Sequence, residues 1–294
     1  MTPPFDGARP ADGNDYAHLA VTSDDGVEPA IQTGFCCSTG GGWAPWFWAH
    51  DSQLHRIDAS PDAFPDERAV LIEPFAGGIH AALIAAASVA ERPHPDDADL
   101  GVGTMGLAAI AGLRRYVPGV RIVAGGRYAH QREFATAFGA DVVVEATELD
   151  RAVRREVGCH MLGNGESGAL SGGADVTIDA VGSSGSITDC LRITRPRGRI
   201  VLLGMPARVD LDLTGLWHRE IDLKGAYTYG TETLRDGTVT DTFALATETV
   251  EALHAERLVS ATYRLDDHVD AMDHAANAGR RGAIKIAFDL RESN

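Results

Sequence analysis

The chain has 294 residues, of which 44% are hydrophobic and 23% charged, and this length is enough for two packed units. Its formal net charge of −16 argues against nucleic acid or an anionic membrane as a partner, because both need clustered Lys and Arg. The four cysteines show neither zinc-ribbon nor disulfide spacing, and no apolar run of about 20 residues stands out, so a soluble, cytoplasmic protein is expected.

The first 74 residues carry weak structural signals. Residues 1–34 lack helical or strand periodicity, which is typical of a loosely ordered lead-in. Short apolar pieces and turns follow, with a strand-like run at 53–57, as in a fragment of a β-rich domain. From Ala69 to Ala90 the alanine-rich sequence predicts a buried helix that is broken near Gly77 and Gly78.

A glycine fingerprint at 101–106 is the most informative motif. Its G-x-G-x-x-G spacing allows a tight turn, close approach of a pyrophosphate, and close packing of the following helix on the preceding strand. The phosphates of a dinucleotide bind at the N-terminus of that helix. The predicted cofactor-binding residues of this loop are Gly101, Gly103, Thr104, Met105 and Gly106.

The strand expected before the fingerprint, at 96–100, contains three aspartates. A central strand of a parallel sheet is normally a continuous apolar run, because helices cover both of its faces. An unpaired buried carboxylate would be costly there. The cofactor site is therefore expected to be modified or decayed.

From the fingerprint onward, helical and extended patterns alternate. This alternation predicts βαβ units and a doubly wound parallel sheet of the α/β class. After Gly230 a helix and two short strands are expected to close the chain. The predicted helices are 107–116, 130–138 and 243–254, and the predicted strands are 120–124, 141–145, 175–179, 199–204, 221–229, 260–265 and 284–289.

The end of the second predicted strand of the sheet indicates the cofactor. An Asp or Glu about 20 residues beyond the fingerprint would bind the ribose hydroxyls of NAD. This chain instead has Gly125-Gly126-Arg127, and a small residue followed by a guanidinium suits a 2′-phosphate. We therefore predict NADP and assign Arg127 to its site. The alternative is that Arg127 is a solvated loop charge.

Five motifs follow one another over roughly residues 35–290: the fingerprint, Gly139-Ala140-Asp141, 174–182, 197–204 and 282–288. In this order they resemble the zinc-type alcohol and polyol dehydrogenase branch of the medium-chain dehydrogenase/reductase superfamily. The resemblance implies a Rossmann dinucleotide-binding domain at 75–230 and a reduced remnant of a GroES-like β domain at 35–74 plus 231–294. It also implies a homodimer joined through the edge of the Rossmann sheet.

The same resemblance implies a catalytic zinc that this chain is poorly equipped to hold. Family members supply a Cys, the His of a Gly-His-Glu motif, and a third ligand. Only the third position has a counterpart, Glu73 in the Glu-Pro pair at 73–74, and catalytic zinc needs three protein ligands. No metal site and no zinc are therefore expected. The alternative is a rebuilt site in which His50, His55 and His80 join Glu73.

Glu73, His80 and His50 are the predicted catalytic residues. Glu73 would be a proton-transfer carboxylate with a raised pKa, or else merely an acid favoured at a helix start. For the histidines the alternatives are a surface position for His50 and packing at a helix start for His80. The expected function is an NAD(P)-dependent oxidoreductase acting on a small alcohol or carbonyl substrate without the usual zinc. The alternative is a lyase, cyclase or isomerase, or a catalytically silent partner, on the same scaffold.

Overall fold

The computed structural model describes residues 20–23, 26–29, 42–46, 54–89, 96–100, 102–163, 168–227 and 229–291. At 20–23, 26–29, 88–89 and 96–100 it describes the backbone alone. The helices are α1 (Asp66–Ala69), α2 (Ile72–Val89), α3 (Thr104–Tyr116), α4 (Ala129–Ala137), α5 (Leu149–Val157), α6 (Ser184–Ile193), α7 (Thr214–His218), α8 (Thr242–Ala252) and α9 (His268–Ala276). The strands are β1 (Ala20–Ser23), β2 (Gly26–Pro29), β3 (Asp96–Leu100), β4 (Arg121–Gly126), β5 (Val142–Glu145), β6 (Met161–Leu162), β7 (Ala169–Leu170), β8 (Ala174–Asp179), β9 (Thr194–Leu202), β10 (Asp222–Gly225), β11 (Thr231–Thr233), β12 (Val239–Asp241), β13 (Val259–Tyr263) and β14 (Lys285–Phe288).

A six-stranded sheet forms the centre of the protein. Its strand order is β10-β9-β8-β3-β4-β5, and every neighbouring pair is parallel. This is the doubly wound order of dinucleotide-binding folds, and it confirms the predicted Rossmann sheet. The direction of winding reverses between β3 and β8. A crevice for a ligand therefore opens at the carboxyl ends of these two strands.

The aspartate-rich strand β3 is the central strand, as predicted. Its backbone pairs with two neighbours at once: Asp97 lies opposite Ile122 of β4 and opposite Val176 of β8. Three aspartates therefore do not prevent this segment from entering the sheet.

Helices cover both faces of the sheet, which explains the apolar runs in its strands. Side chains alternate between the faces with a period of two residues. Ile122 and Ala124 of β4 join the larger core, which α2, α3 and α8 complete, whereas Val123 joins a second core with residues of α5 and α6. Val201 and Ile200 of β9 divide in the same way.

Helix α2 runs unbroken through Gly77 and Gly78, so the prediction of a break there is wrong. The glycines serve close packing against α3 instead. A Cβ at Gly78 would lie 2.7 Å from the backbone of both Ala108 and Ala109, and one at Gly112 would lie 3.0 Å from the Cα of Ile79. Two helices can approach this closely only where one of them lacks a side chain at the point of contact.

The helical stretch from Asp66 to Ala87 is long and apolar enough to cross a membrane by length and composition, with a mean hydropathy of 1.7. This stretch differs from the expectation that the chain has no apolar run of about 20 residues. Of its most apolar window, 72% is buried inside the protein, as in a core helix.

Three local predictions differ from the structure. Residues 54–57 form no strand, and the lead-in contains the antiparallel pair β1 and β2. The strand expected at 221–229 ends at Gly225 as β10, which pairs in register with the last four residues of β9. The division of the chain into domains stays a prediction.

Candidate functional site

The N-terminus of α3 lies at the crevice between β3 and β8. Helix α3 begins at Thr104, directly after Gly103, and its first backbone hydrogen bond runs from the amide of Leu107 to the carbonyl of Gly103. The amides of the first turn, from Thr104 to Gly106, therefore have no acceptor within the helix. A Cβ at Gly103 would meet no atom within 4 Å, so this turn has open space beside it. Such a turn can bind an anionic group such as a pyrophosphate.

Two side chains of this first turn already contact other parts of the protein. The Thr104 hydroxyl donates to the carbonyl of Ile284 at 3.2 Å. The Met105 methyl lies 2.8 Å from where a Cβ at Gly77 would stand. These two predicted cofactor residues would therefore contribute backbone amides. Gly101, also predicted, lies outside the described residues.

On the other side of the crevice, Asp179 at the end of β8 stabilises the turn that follows this strand. Its buried carboxylate accepts hydrogen bonds from the amides of Val181 at 2.8 Å and Gly182 at 3.1 Å. Beyond this turn, Val181 and Met205 are exposed by 54% and 83%. The ends of β8 and β9 thus present apolar side chains beside a rigid turn.

Two arginines lie at the carboxyl end of β4. Arg127 is exposed, and its guanidinium lies 5.9 Å from the ring centre of Tyr128. Arg132, which the sequence analysis did not propose, donates to the carbonyl of Gly126 at 2.9 Å. A Cβ at Gly126 would lie 2.6 Å from a methyl of Val102, so the arginines adjoin the fingerprint loop.

Glu73 forms a cluster with Tyr229 and Lys285. It is the second residue of α2 and keeps an accessible face. Its carboxylate lies beside the Tyr229 hydroxyl and close enough to the Lys285 ammonium to interact with its charge. Lys285 directly follows Ile284, the residue that holds Thr104, so the cluster adjoins the start of α3.

Burial shifts the pKa of every member of this cluster away from its charged form. It raises the pKa of Glu73, although the Lys285 charge and the Tyr229 hydrogen bond act in the opposite direction. Burial lowers the pKa of Lys285, and burial with the Glu73 charge raises the pKa of Tyr229. A helix start alone would lower the pKa of an acid. The pKa of Glu73 is thus shifted in the direction opposite to the one that a helix start alone would give.

Aromatic rings border the cluster. Phe243 meets the ring of Tyr229 edge to face, with centres 4.6 Å apart, and stacks on the ring of His55 at 4.2 Å. His55 also has its Nδ1 at 3.8 Å from a carboxylate oxygen of Asp241. His50, a predicted catalytic residue, lies outside the described residues.

His80 lies in the middle of α2, so the alternative that it packs at a helix start is wrong. The residue is buried, and its Nδ1 lies 2.6 Å from a carboxylate oxygen of the buried Glu232. The same oxygen accepts a hydrogen bond of 3.0 Å from the hydroxyl of Thr242. His80 therefore belongs to a buried network and is held by Glu232.

The donors around Glu73 do not fit a zinc ion. Zinc binds thiolate, imidazole and carboxylate groups, whereas the neighbours of Glu73 named above are a phenol and an ammonium. Within the described part of the chain, no three His, Cys, Asp or Glu side chains are grouped as a metal site would require. No chemical step is therefore derived through a metal.

Sequence reasoning missed Tyr229, Lys285 and Arg132. Lys285 carries a signal, because it is one of only two lysines in the chain and lies in an apolar strand. Tyr229 is the last residue of the strand predicted at 221–229, where no functional residue was proposed. Its contact with Glu73 joins residues far apart in sequence and becomes visible only in the fold.

Known dehydrogenases resemble this chain in sequence and in structure. Residues 104–244 match the family described as zinc-binding dehydrogenase. Sorbitol dehydrogenase from Bacillus subtilis is 29% identical over 229 residues, which are 73% of this chain and 55% of that protein. The chain thus spans little more than half the length of this relative.

Two solved structures share the fold. Zinc-dependent alcohol dehydrogenase 2 from Streptococcus pneumonia superposes with a TM-score of 0.62 at 20% identity, over 86% of this chain and 67% of that one. L-idonate 5-dehydrogenase from Escherichia coli gives a TM-score of 0.56 at 23% identity, over 79% and 58%. At these identities the likeness shows the fold alone.

Proposed function

Because the chain belongs to the zinc-type medium-chain dehydrogenase/reductase superfamily, we propose that it is an NADP-preferring oxidoreductase acting on an alcohol or carbonyl group of a small molecule. The observation that carries this proposal is the contact between the two halves of the site. The first turn of α3, where a pyrophosphate would bind, is tied through Ile284 to Lys285 and hence to the Glu73 cluster.

The residues of the chain divide the work between binding and proton transfer. The bound dinucleotide would supply a hydride to a carbonyl carbon or accept one from an alcohol. The α3 amides would hold its phosphates, and the exposed apolar side chains of Val181 and Met205 would lie at the rim of the site. In the reducing direction the protonated form of Glu73, which the raised pKa favours, would supply the proton that the carbonyl oxygen needs. The Tyr229 hydroxyl orients that carboxyl group, and the Lys285 ammonium stabilises it after the proton has left.

In this proposal Arg127 determines the preference for NADPH over NADH. Calorimetric titration of the purified chain should give tighter binding of NADPH than of NADH. Arg127→Ala should weaken NADPH binding about tenfold or more and leave NADH unchanged, because a hydrogen bond to a charged group is worth about 1.5–3 kcal/mol. Arg155→Ala removes an equally exposed arginine from α5 and serves as the matched control. An unchanged preference in Arg127→Ala would show that this guanidinium does not contact a phosphate.

Zinc is not expected in the purified protein. Glu73 alone cannot hold the ion, because a catalytic zinc needs three protein ligands. Elemental analysis of protein purified without chelator should find far less than one zinc per chain. One zinc per chain would overturn this expectation and would revive the site of Glu73 with His50, His55 and His80.

We also propose that two copies of the chain form a homodimer through the edge of the Rossmann sheet. Strand β10 is an edge of that sheet, and all four of its residues are exposed. Large apolar side chains are exposed on this strand and in the chain just before it: Leu223 is 39% exposed, Trp217 78% and Leu213 50%. Pairing of two such edges would cover both.

A further inference from the structure

His80 and Glu73 lie on the same face of α2. They are seven residues apart, which is two helical turns and a separation of about 10.5 Å along the axis. Each makes one polar contact with the segment of chain from Tyr229 to Glu232. Glu73 meets the Tyr229 hydroxyl, and His80 meets the Glu232 carboxylate.

The distance between these two contacts is nearly the same along α2 as along the Tyr229–Glu232 segment. Tyr229 and Glu232 are three residues apart in a segment that becomes strand β11 at Thr231. Three extended residues span about 10 Å, nearly the distance between two turns of a helix. Tyr229 and Gly230 precede the regular strand, so the alternation of a strand does not separate the two side chains, and the segment can run alongside α2 with both contacts made at once.

A buried network holds this register. His80, Glu232 and Thr242 are exposed by 7%, 8% and 0%. The Thr242 hydroxyl lies within hydrogen-bond distance of the Glu232 carboxylate, at 3.0 Å, and of the Gly230 carbonyl, at 2.6 Å. The amide of Thr242 also donates to the Gly230 carbonyl at 2.8 Å, and the amide of Gly230 donates back to the Thr242 hydroxyl at 2.9 Å.

This network acts on the residue next to Tyr229. Gly230 is bound on both its amide and its carbonyl by Thr242, so the backbone that carries Tyr229 is fixed at its carboxyl side. Phe243, the residue after Thr242, packs against the Tyr229 ring. The polar network and this aromatic contact together determine where the phenol lies.

We propose that His80 is a positioning residue, and that its bond to Glu232, supported by Thr242, fixes the Tyr229–Glu232 segment along α2 so that the Tyr229 hydroxyl meets Glu73. The role in the reaction rests on the proposed function above, in which Glu73 transfers the proton. The role in fixing the segment does not depend on it. The sequence predicted a catalytic role for His80. In this proposal His80 has a positioning role instead, because it acts through other residues.

The direct test observes Tyr229 itself. Protein containing 3-fluorotyrosine gives one fluorine resonance for each of six tyrosines, and loss of one in Tyr229→Phe assigns that of Tyr229. In Thr242→Val and His80→Leu this resonance should leave its native position or split. Thr242→Ser keeps the hydroxyl and should restore it. Thr177→Val is the matched control, because it removes a buried hydroxyl that pairs with Thr194 elsewhere, in the sheet; it should leave the resonance in place.

Turnover provides a second measurement once a substrate is known. Thr242→Val should lower kcat by about 10²-fold with KM little changed, because a misplacement of about 1 Å can cost that much. The inference is overturned if a folded Thr242→Val or His80→Leu keeps the native Tyr229 resonance, or if Thr177→Val moves it equally. If Tyr229→Phe and Glu73→Gln both leave turnover unchanged, the proposed function fails, whereas the fluorine spectra still decide the positioning role.

Discussion

Replacing Glu73 with glutamine should lower turnover by about 10²- to 10⁴-fold, the usual contribution of a general acid or base. The amide keeps the size of the side chain and can still accept a hydrogen bond from Tyr229, but it cannot transfer a proton. The fold and the affinity for NADPH should change little, because the α3 amides that would hold the phosphates are untouched. Steady-state kinetics, with circular dichroism and calorimetry on the same samples, measure all three quantities.

Glu67→Gln is the matched control, because Glu67 is also an acid in the first turn of a helix. Its pKa is lowered, chiefly by a backbone hydrogen bond, so it stays ionised, and its replacement should leave turnover unchanged. Carbonyl reduction by the native protein should fall as the pH rises through the raised pKa of Glu73, because only the protonated form supplies the proton. Glu73→Gln should lack this dependence. Turnover within a few-fold of native in Glu73→Gln would remove Glu73 from the mechanism.

Substituting alanine for Gly78 should lower the free energy of unfolding by about 1–3 kcal/mol, the common cost of overpacking a core. The new Cβ would lie 2.7 Å from the backbone of Ala108 and Ala109. Because backbone cannot move aside as a flexible side chain does, α2 and α3 must separate. Urea denaturation followed by circular dichroism measures the change.

Gly215→Ala in α7 is the control for this substitution, because a Cβ there meets nothing within 4 Å. It should change the stability by less than about 1 kcal/mol, the difference between glycine and alanine in a helix. If Gly78→Ala were as stable as the native protein, the glycines of α2 would not be needed for its contact with α3.

The Rossmann sheet could be predicted because its signals are local. Periodicity located β4, β8 and β9, and the fingerprint located the start of α3. Gly77 and Gly78 misled the prediction of α2, since a glycine that breaks an isolated helix is favoured where another helix packs directly upon it. That neighbour, α3, is encoded about 30 residues later and leaves no sign at Gly77 or Gly78.

The candidate site was predictable only in part. Glu73 and Arg127 could be proposed from the sequence because each stands at a position where a motif indicates the chemistry, and their roles stay predictions. Tyr229 and Lys285 were missed because they reach Glu73 from positions more than 150 residues away in the sequence. The contact of His80 with Glu232 could not be predicted from the sequence, since Glu232 lies in a short strand that shows no periodic pattern.

The most direct test of the proposed oxidoreductase is to follow the hydride. Purified protein is incubated with NADPH deuterated at C4 of the nicotinamide and with a panel of small aldehydes, ketones and ketoses, and the alcohols formed are analysed by mass spectrometry. We expect one deuterium on the former carbonyl carbon of at least one product, with transfer strongly reduced in Glu73→Gln. Alcohol products without deuterium, or no product from any compound although NADPH binds, would contradict this expectation.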